Sequence, residues 1–329
     1  MRVFIAGATG VLGRRLVPML LSVGHEVVGT TRSKRKAMGL RQAGARAIVL
    51  DALNGAAVHS AIRAARPQVI VHELTALEGR TDIRKMEQGF ELTNRLRTQG
   101  TDILISAARE AGVRRMVAQS FTGWPNERGG GTVKTEQDPL DRDPPAAMRA
   151  TLDAIEYVEH SVTHTRGLEG LVLRYGTFYG PGTTLSEGGE HVEQIRRRRF
   201  PVVGDGEGVW SFVHIDDAAS ATIAAIERGR PGVYNVVDDE PARVSGWLPA
   251  IADTIGARPP RHVPVWLARL LTGEAGVSMM TSVRGSSNAK AKRELGWLPR
   301  YPSWRSGFRL GLGRVDERPP GTARAAGAA

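Results

Sequence analysis

The chain of 329 residues contains no cysteine. That absence excludes disulfides, a thiolate nucleophile and thiolate metal sites. The eight histidines show no HxH or HExxH spacing, so no metal is expected. No apolar run approaches the roughly 20 residues a membrane helix needs. The apolar segment at the N-terminus is too short and too glycine-rich for a secretory signal. These absences point to a cytoplasmic protein with no membrane partner. A concentrated basic patch is missing too: the net charge of +11 is mostly arginine spread along the chain, which argues against a nucleic-acid partner. The one basic run, Arg196 to Arg199, falls where a helix would end before Phe200 and Pro201, a favourable place for cations.

What is present begins with VFIAGATGVLGRRLV, Val3 to Val17. It reads as a buried strand, a turn with glycines at Gly7, Gly10 and Gly13, and a helix that starts at once. Glycines so spaced let the backbone turn tightly and approach a pyrophosphate, and the helix N-terminus offers N–H groups to an anion. A dinucleotide is the implied ligand. GHEVVGTTRS, Gly24 to Ser33, reads as the second strand. Its tip lacks the acid that holds the ribose hydroxyls of NAD and carries Thr30, Thr31, Arg32 and Ser33, then Lys34 and Arg35. Arginine there suits a 2′-phosphate, so NADP(H) is the expected cofactor, with NAD(H) possible.

Further strands are expected at Ala47 to Leu50, leading to Asp51 and Ala52, at Gln68 to His72, at Val113 to Ser120 and at Leu171 to Tyr175. Helices are expected over 11–23, 55–65, 92–111 and 146–160. Alternating strands and helices imply right-handed crossovers and a parallel sheet. Ligands then bind beyond the strand tips near residues 72 and 119. Residues 123–147, with Gly129 to Gly131 and several prolines, read as a long loop suited to a flap over the site. Residues 315–329, rich in Pro, Gly and Ala, read as a disordered tail.

The chain resembles the extended short-chain dehydrogenase/reductases, the NAD-dependent epimerase/dehydratase family, from Met1 to about Leu312. The resemblance is carried by GATGVLG at the start, Asp51, and NRLRTQGTDILISAAREAGVRRMVAQS (Asn94 to Ser120). LRYGTFYGPG (Leu171 to Gly182), VVGDGEGVWSFVHIDDAA (Val202 to Ala219), GVYNVVDDEP (Gly232 to Pro241) and LGWLPRYPSW (Leu295 to Trp304) add to it. It implies an α/β fold: a doubly wound parallel (Rossmann) sheet with a smaller mixed α/β substrate-binding domain. Residues 1–175, with a returning segment around 212–240, would bind the dinucleotide, and 176–211 with 241–314 a small-molecule substrate, in a monomer or homodimer. By position, Gly7, Thr9, Gly10, Val11, Leu12 and Gly13 would hold the pyrophosphate. Asp51 and Ala52 would contact the adenine, while Arg32 and Ser33 are the cofactor-binding residues read from the tip of the second strand. Leu74, Thr75 and Ala76 would flank the nicotinamide ribose, and Tyr175 and Phe178 the nicotinamide ring.

The catalytic pair departs from the family pattern, a tyrosine with a lysine four residues later, in which the lysine lowers the phenol's pKa. None of the five tyrosines has that lysine. Aligned on Glu156, the two positions are Met148 and Leu152, and neither side chain exchanges a proton. Ser120 and Thr122, at the tip of the fifth strand, are the expected replacements that polarise a carbonyl; a phenol or enol of the substrate is the alternative. Trp124, Met148, Leu152, Tyr179 and Trp210 would wall a pocket for a flat, apolar substrate. The expected function is an NADP(H)-dependent ketoreductase of a bulky, largely apolar carbonyl compound, by analogy with reductases that tailor aromatic polyketides. The rivals are a nucleotide-sugar epimerase or dehydratase and a non-catalytic NADP(H) sensor. His72 and Glu73 form a weaker acid/base candidate.

Overall fold

The computed structural model describes residues 1–77 and 86–313; the tail expected over 315–329 lies outside them. Apolar runs build β1 (Arg2–Ala6), β2 (Glu26–Thr31), β3 (Arg46–Val49), β4 (Val69–His72), β5 (Arg115–Phe121), β6 (Glu169–Tyr175) and β7 (Gly232–Val236). All seven pair in parallel, in the spatial order β7-β6-β5-β4-β1-β2-β3. Alternation along β1 shows why these strands read as continuous apolar runs. Val3 and Ile5 pack into one apolar layer, whereas Phe4 and Ala6 pack into the other, as a sheet covered on both faces requires.

Helices cover the faces in the order of doubly wound folds. On one side lie α1 (Gly13–Ser22), through Leu16 and Leu20, and α2 (Lys34–Gln42), through Leu40. On the other lies α3 (Gly55–Ala65), through Val58 and Ile62. The single helix expected over 92–111 is two, α4 (Met86–Arg97) and α5 (Gln99–Glu110), broken at Thr98 with φ −92° and ψ −81°. The Thr98 hydroxyl donates to the carbonyl of Asn94 at 3.0 Å, a local bond that competes with the helical ladder. The sequence reading also misses α2. Only Ala37 and Leu40 are buried on it, too sparse a stripe to read as periodic, yet the Ser33 hydroxyl caps it by accepting the Lys36 N–H at 3.3 Å.

Helix α6 (Ala146–His164) packs against α4 and against β5 and β6. The short α7 (Glu190–Arg196) carries Arg196 in its last turn, and α8 (Ile215–Arg228) returns the chain to the α1 side of the sheet. Beyond the sheet, Trp210, Phe212, Trp247, Trp304 and Phe308 form a second apolar core, joined by Met148 and Leu152 of α6. The segment 123–147 is fastened rather than free. Val133 and Lys134 pair with Gly285 and Ser286, and the Asn126 side-chain amide donates to the carbonyls of Arg284 and Gly285, each at 3.2 Å.

A buried ion pair locks α6 to the sheet: Arg174 donates from Nε to Glu159 Oε1 at 2.8 Å and from Nη2 to Oε2 at 2.6 Å. The two side chains are 8% and 9% exposed. Replacing one partner strands the other's charge away from water. Glu159→Leu should lower the stability measured by urea unfolding by about 3–5 kcal/mol; an unchanged midpoint would show that the pair is dispensable.

Candidate active site

The sheet order reverses at β1, so the carboxyl ends of β1 and β4 open a crevice. Gly7 turns there with φ +96°. A Cβ on Gly7 would lie 2.4 Å from the Glu73 carbonyl oxygen, and one on Gly13 would lie 2.6 Å from the backbone of Ala8. Glycine is therefore required at both positions to keep this cradle open. The cradle ends on the N-terminus of α1, where Leu12 supplies no side-chain cap and the first turn has no acid; the Arg14 and Arg15 N–H groups bond to the Gly10 and Leu12 carbonyls at 3.0 and 2.9 Å, and the positive end of the helix dipole favours an anion there. Gly10 is exposed and Val11 partly so. Thr9 donates to the Thr31 hydroxyl at 3.0 Å, which accepts the Ser33 N–H at 3.2 Å. These bonds tie the glycine turn to the tip of β2, where Arg32 is exposed.

The other expected contacts lie at neighbouring strand ends. Asp51 is exposed, with Oδ1 accepting the Leu53 N–H at 3.0 Å, and Ala52 is buried. Leu74 accepts from Gln119 Nε2 at 3.2 Å and the Ala76 N–H donates to Thr93 at 3.1 Å, holding the segment that contains exposed Thr75. The Tyr175 and Phe178 rings lie 5.4 Å apart. A glycine cradle, an uncapped helix N-terminus and cations at the β2 tip are the donors and the space that a dinucleotide needs.

Met148 and Leu152, where the family resemblance places the tyrosine and the lysine, are 0% and 1% exposed, one turn apart on α6. Trp124, Tyr179 and Trp210 share their apolar cluster. Tyr179 is fully buried, edge-on to Phe308 and His214, so it serves as core; Trp124 and Trp210, at 7% and 8%, stand nearer the surface. Ser120 and Thr122 are both engaged internally. Ser120 donates to Glu159 at 2.6 Å, inside the α6 ion pair. Thr122 lies 2.6 Å from the Ser286 hydroxyl and donates to Asn126 at 3.2 Å.

The strand tip near 119 is expected to line the site, but Gln119 and Phe121 themselves are not among the site residues expected from the sequence. On β5, Ser120 is buried while Gln119 and Phe121 are partly open, and the Phe121 ring stands 6.4 Å from that of Trp124. The period of two along the strand was the available signal, since neighbours point to opposite faces. His72 is packed: Nε2 lies 3.0 Å from the Thr101 hydroxyl, and Nδ1 accepts the Leu74 N–H at 3.3 Å. Burial, with Arg97 nearby, pushes its pKa down to about 4, so it is neutral. Burial acts oppositely on Glu73, raising its pKa to about 8.

Residues 3–236 match the model of the NAD dependent epimerase/dehydratase family. The chain is 44% identical over 311 residues to a 3-diazoavenalumate denitrifying reductase from a Streptomyces species, covering 94% of this chain and 99% of that one. It is 26% identical over 320 residues to a 4-hydroxy-2-methyl-3-oxo-4-farnesyl-3,4-dihydroquinoline-1-oxide ketoreductase from Stigmatella aurantiaca, covering 91% and 92%. Among solved structures, a dTDP-glucose 4,6-dehydratase from Streptomyces venezuelae, crystallised with NAD, superposes with a TM-score of 0.74 at 22% identity, covering 95% and 96%.

The cradle makes a direct prediction. Gly7→Ala places a Cβ in a left-handed backbone and against the Glu73 carbonyl, so NADPH binding by fluorescence titration should weaken at least about tenfold, with a loss of about 2 kcal/mol or more in urea unfolding. Binding like that of the wild type would show that the cradle is not a ligand site.

Proposed function

The chain belongs to the NAD-dependent epimerase/dehydratase family, and from that premise we propose that it is an NADP(H)-dependent reductase of an electron-poor aromatic metabolite, an aryl diazonium compound in the first instance. The carrying observation is the pair of apolar, fully buried side chains, Met148 and Leu152, where the family resemblance places a tyrosine and a lysine. When bound, the dinucleotide supplies a hydride. A ketone that accepts hydride becomes an alkoxide and must be protonated. An aryl diazonium that accepts hydride becomes an aryldiazene; the C–N bond then breaks, N2 leaves and the ring carbon ends with a C–H bond. That balance closes with no net proton from the protein, so apolar residues suffice. The name of the 44% identical relative, a denitrifying reductase, supports this choice of substrate.

In this reading the chain's own residues bind, orient and exclude water. Phe121, partly open with the Trp124 ring 6.4 Å away, offers flat apolar surface to an aromatic ring; Trp210 backs it from the aromatic core, and residues 176–211 with 241–313 complete the substrate side. Ser120 and Thr122 hold the floor of the site through Glu159, Asn126 and Ser286. Preference for NADP(H) is supported at the β2 tip. Arg32 is exposed there, and Lys34, Arg35 and Lys36 open α2, whose first turn contains no acid. Cations at the positive end of a helix dipole are unfavourable alone and gain from an anion such as a 2′-phosphate.

A second reading keeps a carbonyl substrate with a phenol or enol beside it, whose internal hydrogen bond would stabilise the alkoxide; the ketoreductase relative favours it. An epimerase or dehydratase of nucleotide sugars is disfavoured, because oxidising an unactivated hydroxyl depends most on a phenolate base. The test is to supply NADPH or NADH with a diazotised hydroxycinnamate and, separately, with 2-acylphenols. We expect NADPH oxidation coupled one-to-one to N2 release, with NADH slower. Turnover of the acylphenols alone would favour the second reading, and no NADPH consumption with either class would contradict both in favour of a sensor.

A further inference from the structure

Glu73 follows β4 and is 5% exposed. Its main chain forms the wall of the glycine cradle: its N–H donates to Ala6 at 2.8 Å, and its carbonyl is the atom that a Cβ on Gly7 would meet. The side chain points away from that of His72, toward the layer of α1 and α8. There Tyr175 Oη donates to Glu73 Oε1 at 3.4 Å and lies 2.7 Å from the Thr222 hydroxyl of α8. Oε2 is buried and has no hydrogen-bond partner among the described residues. The carboxyl group thus sits between the cradle and Tyr175, one of the two residues that the family resemblance sets beside the nicotinamide.

Among the described residues, the surrounding elements give it no counter-charge. From α1 and α8 come Arg15 and Asp216, bound to each other at 2.5 and 2.9 Å. From β5 comes the uncharged Gln119, engaged with Leu74. From β6 comes Tyr175, whose phenol is itself held well above its usual pKa by burial and by Glu73. His72 faces Thr101 of α5. β1 contributes Ala6 and then Gly7. A carboxylate so placed is costly, and the acid stays protonated at neutral pH.

We propose that Glu73 senses the charge of the nicotinamide: protonated, it favours the uncharged reduced cofactor, and ionised, it favours the cationic oxidised one. The inference rests on the dinucleotide reading of the cradle. The ionised carboxylate repels the phosphates of both cofactor forms alike, so that effect cancels in the ratio of their affinities. Only its attraction for the positive ring remains.

The sign follows from the raised pKa. Below about pH 7 Glu73 is neutral, and as pH rises through about 8 it ionises. The ratio Kd(NADP⁺)/Kd(NADPH) should therefore be level at low pH and fall through pH 8 to 9. A fall of about tenfold is expected, modest for two charges coupled inside a protein. In Glu73→Gln, of the same shape and without a titrating proton, the ratio should stay level. The measurement is NADPH fluorescence titration with NADP⁺ competition from pH 6.5 to 9.5. A level ratio in the wild type, or an equal fall in Glu73→Gln, overturns the assignment. If neither form binds the wild type at any pH, the dinucleotide reading fails and this inference with it. A level wild-type ratio overturns the assignment by itself, and if Glu73→Gln does not fold, Glu73→Met, which also lacks a titrating proton, takes its place.

Discussion

The close approach of the β1 and β4 tips is the constraint on which the site depends. Ala6 accepts the Glu73 N–H at 2.8 Å, and the next residue must be Gly7, because a Cβ would strike the Glu73 carbonyl at 2.4 Å. That contact fixes where the chain turns, and hence where α1 begins and which way its N-terminal N–H groups face. It also brings a carboxylic acid to a place where only a neutral group is comfortable. One steric requirement therefore shapes the glycine cradle and places this acid, which burial keeps neutral, beside it.

The second constraint is on the far wall of the crevice. Where the family resemblance places proton-transfer chemistry, α6 offers methionine and leucine packed into the aromatic core of the later chain. The nearby hydroxyls are absorbed into structure: Ser120 steadies the Glu159–Arg174 pair, and Thr122 joins Asn126 and Ser286. Burying those polar groups is affordable only because each has a partner. On the proposed function, such a packed wall excludes water and donates no proton, as suits an acceptor that completes its own reduction.

Much of this was legible in the residues. The glycine spacing of Gly7 to Gly13 and the apolar runs of β1, β4 and β6 led to the parallel sheet and to the turn at the end of β1. What escaped was decided by long-range packing. Helix α2 buries too few apolar residues to show a stripe; a hydroxyl at Thr98 broke a helix whose periodicity looked continuous. The side on which Ser120 faces was available from strand alternation, but its partner Glu159 lies on another element 39 positions away. The loop expected as a flap is fastened by Arg284 to Ser286, a distant segment with no local signature.

On the proposed reaction, hydride transfer is completed without a proton from the protein. Its most direct test is the single-turnover rate of NADPH oxidation with a diazotised hydroxycinnamate in H2O and in D2O. Nearly equal rates in the two solvents are expected. A rate slowed about twofold or more in D2O, the size expected when a general acid moves a proton in the same step, would contradict it.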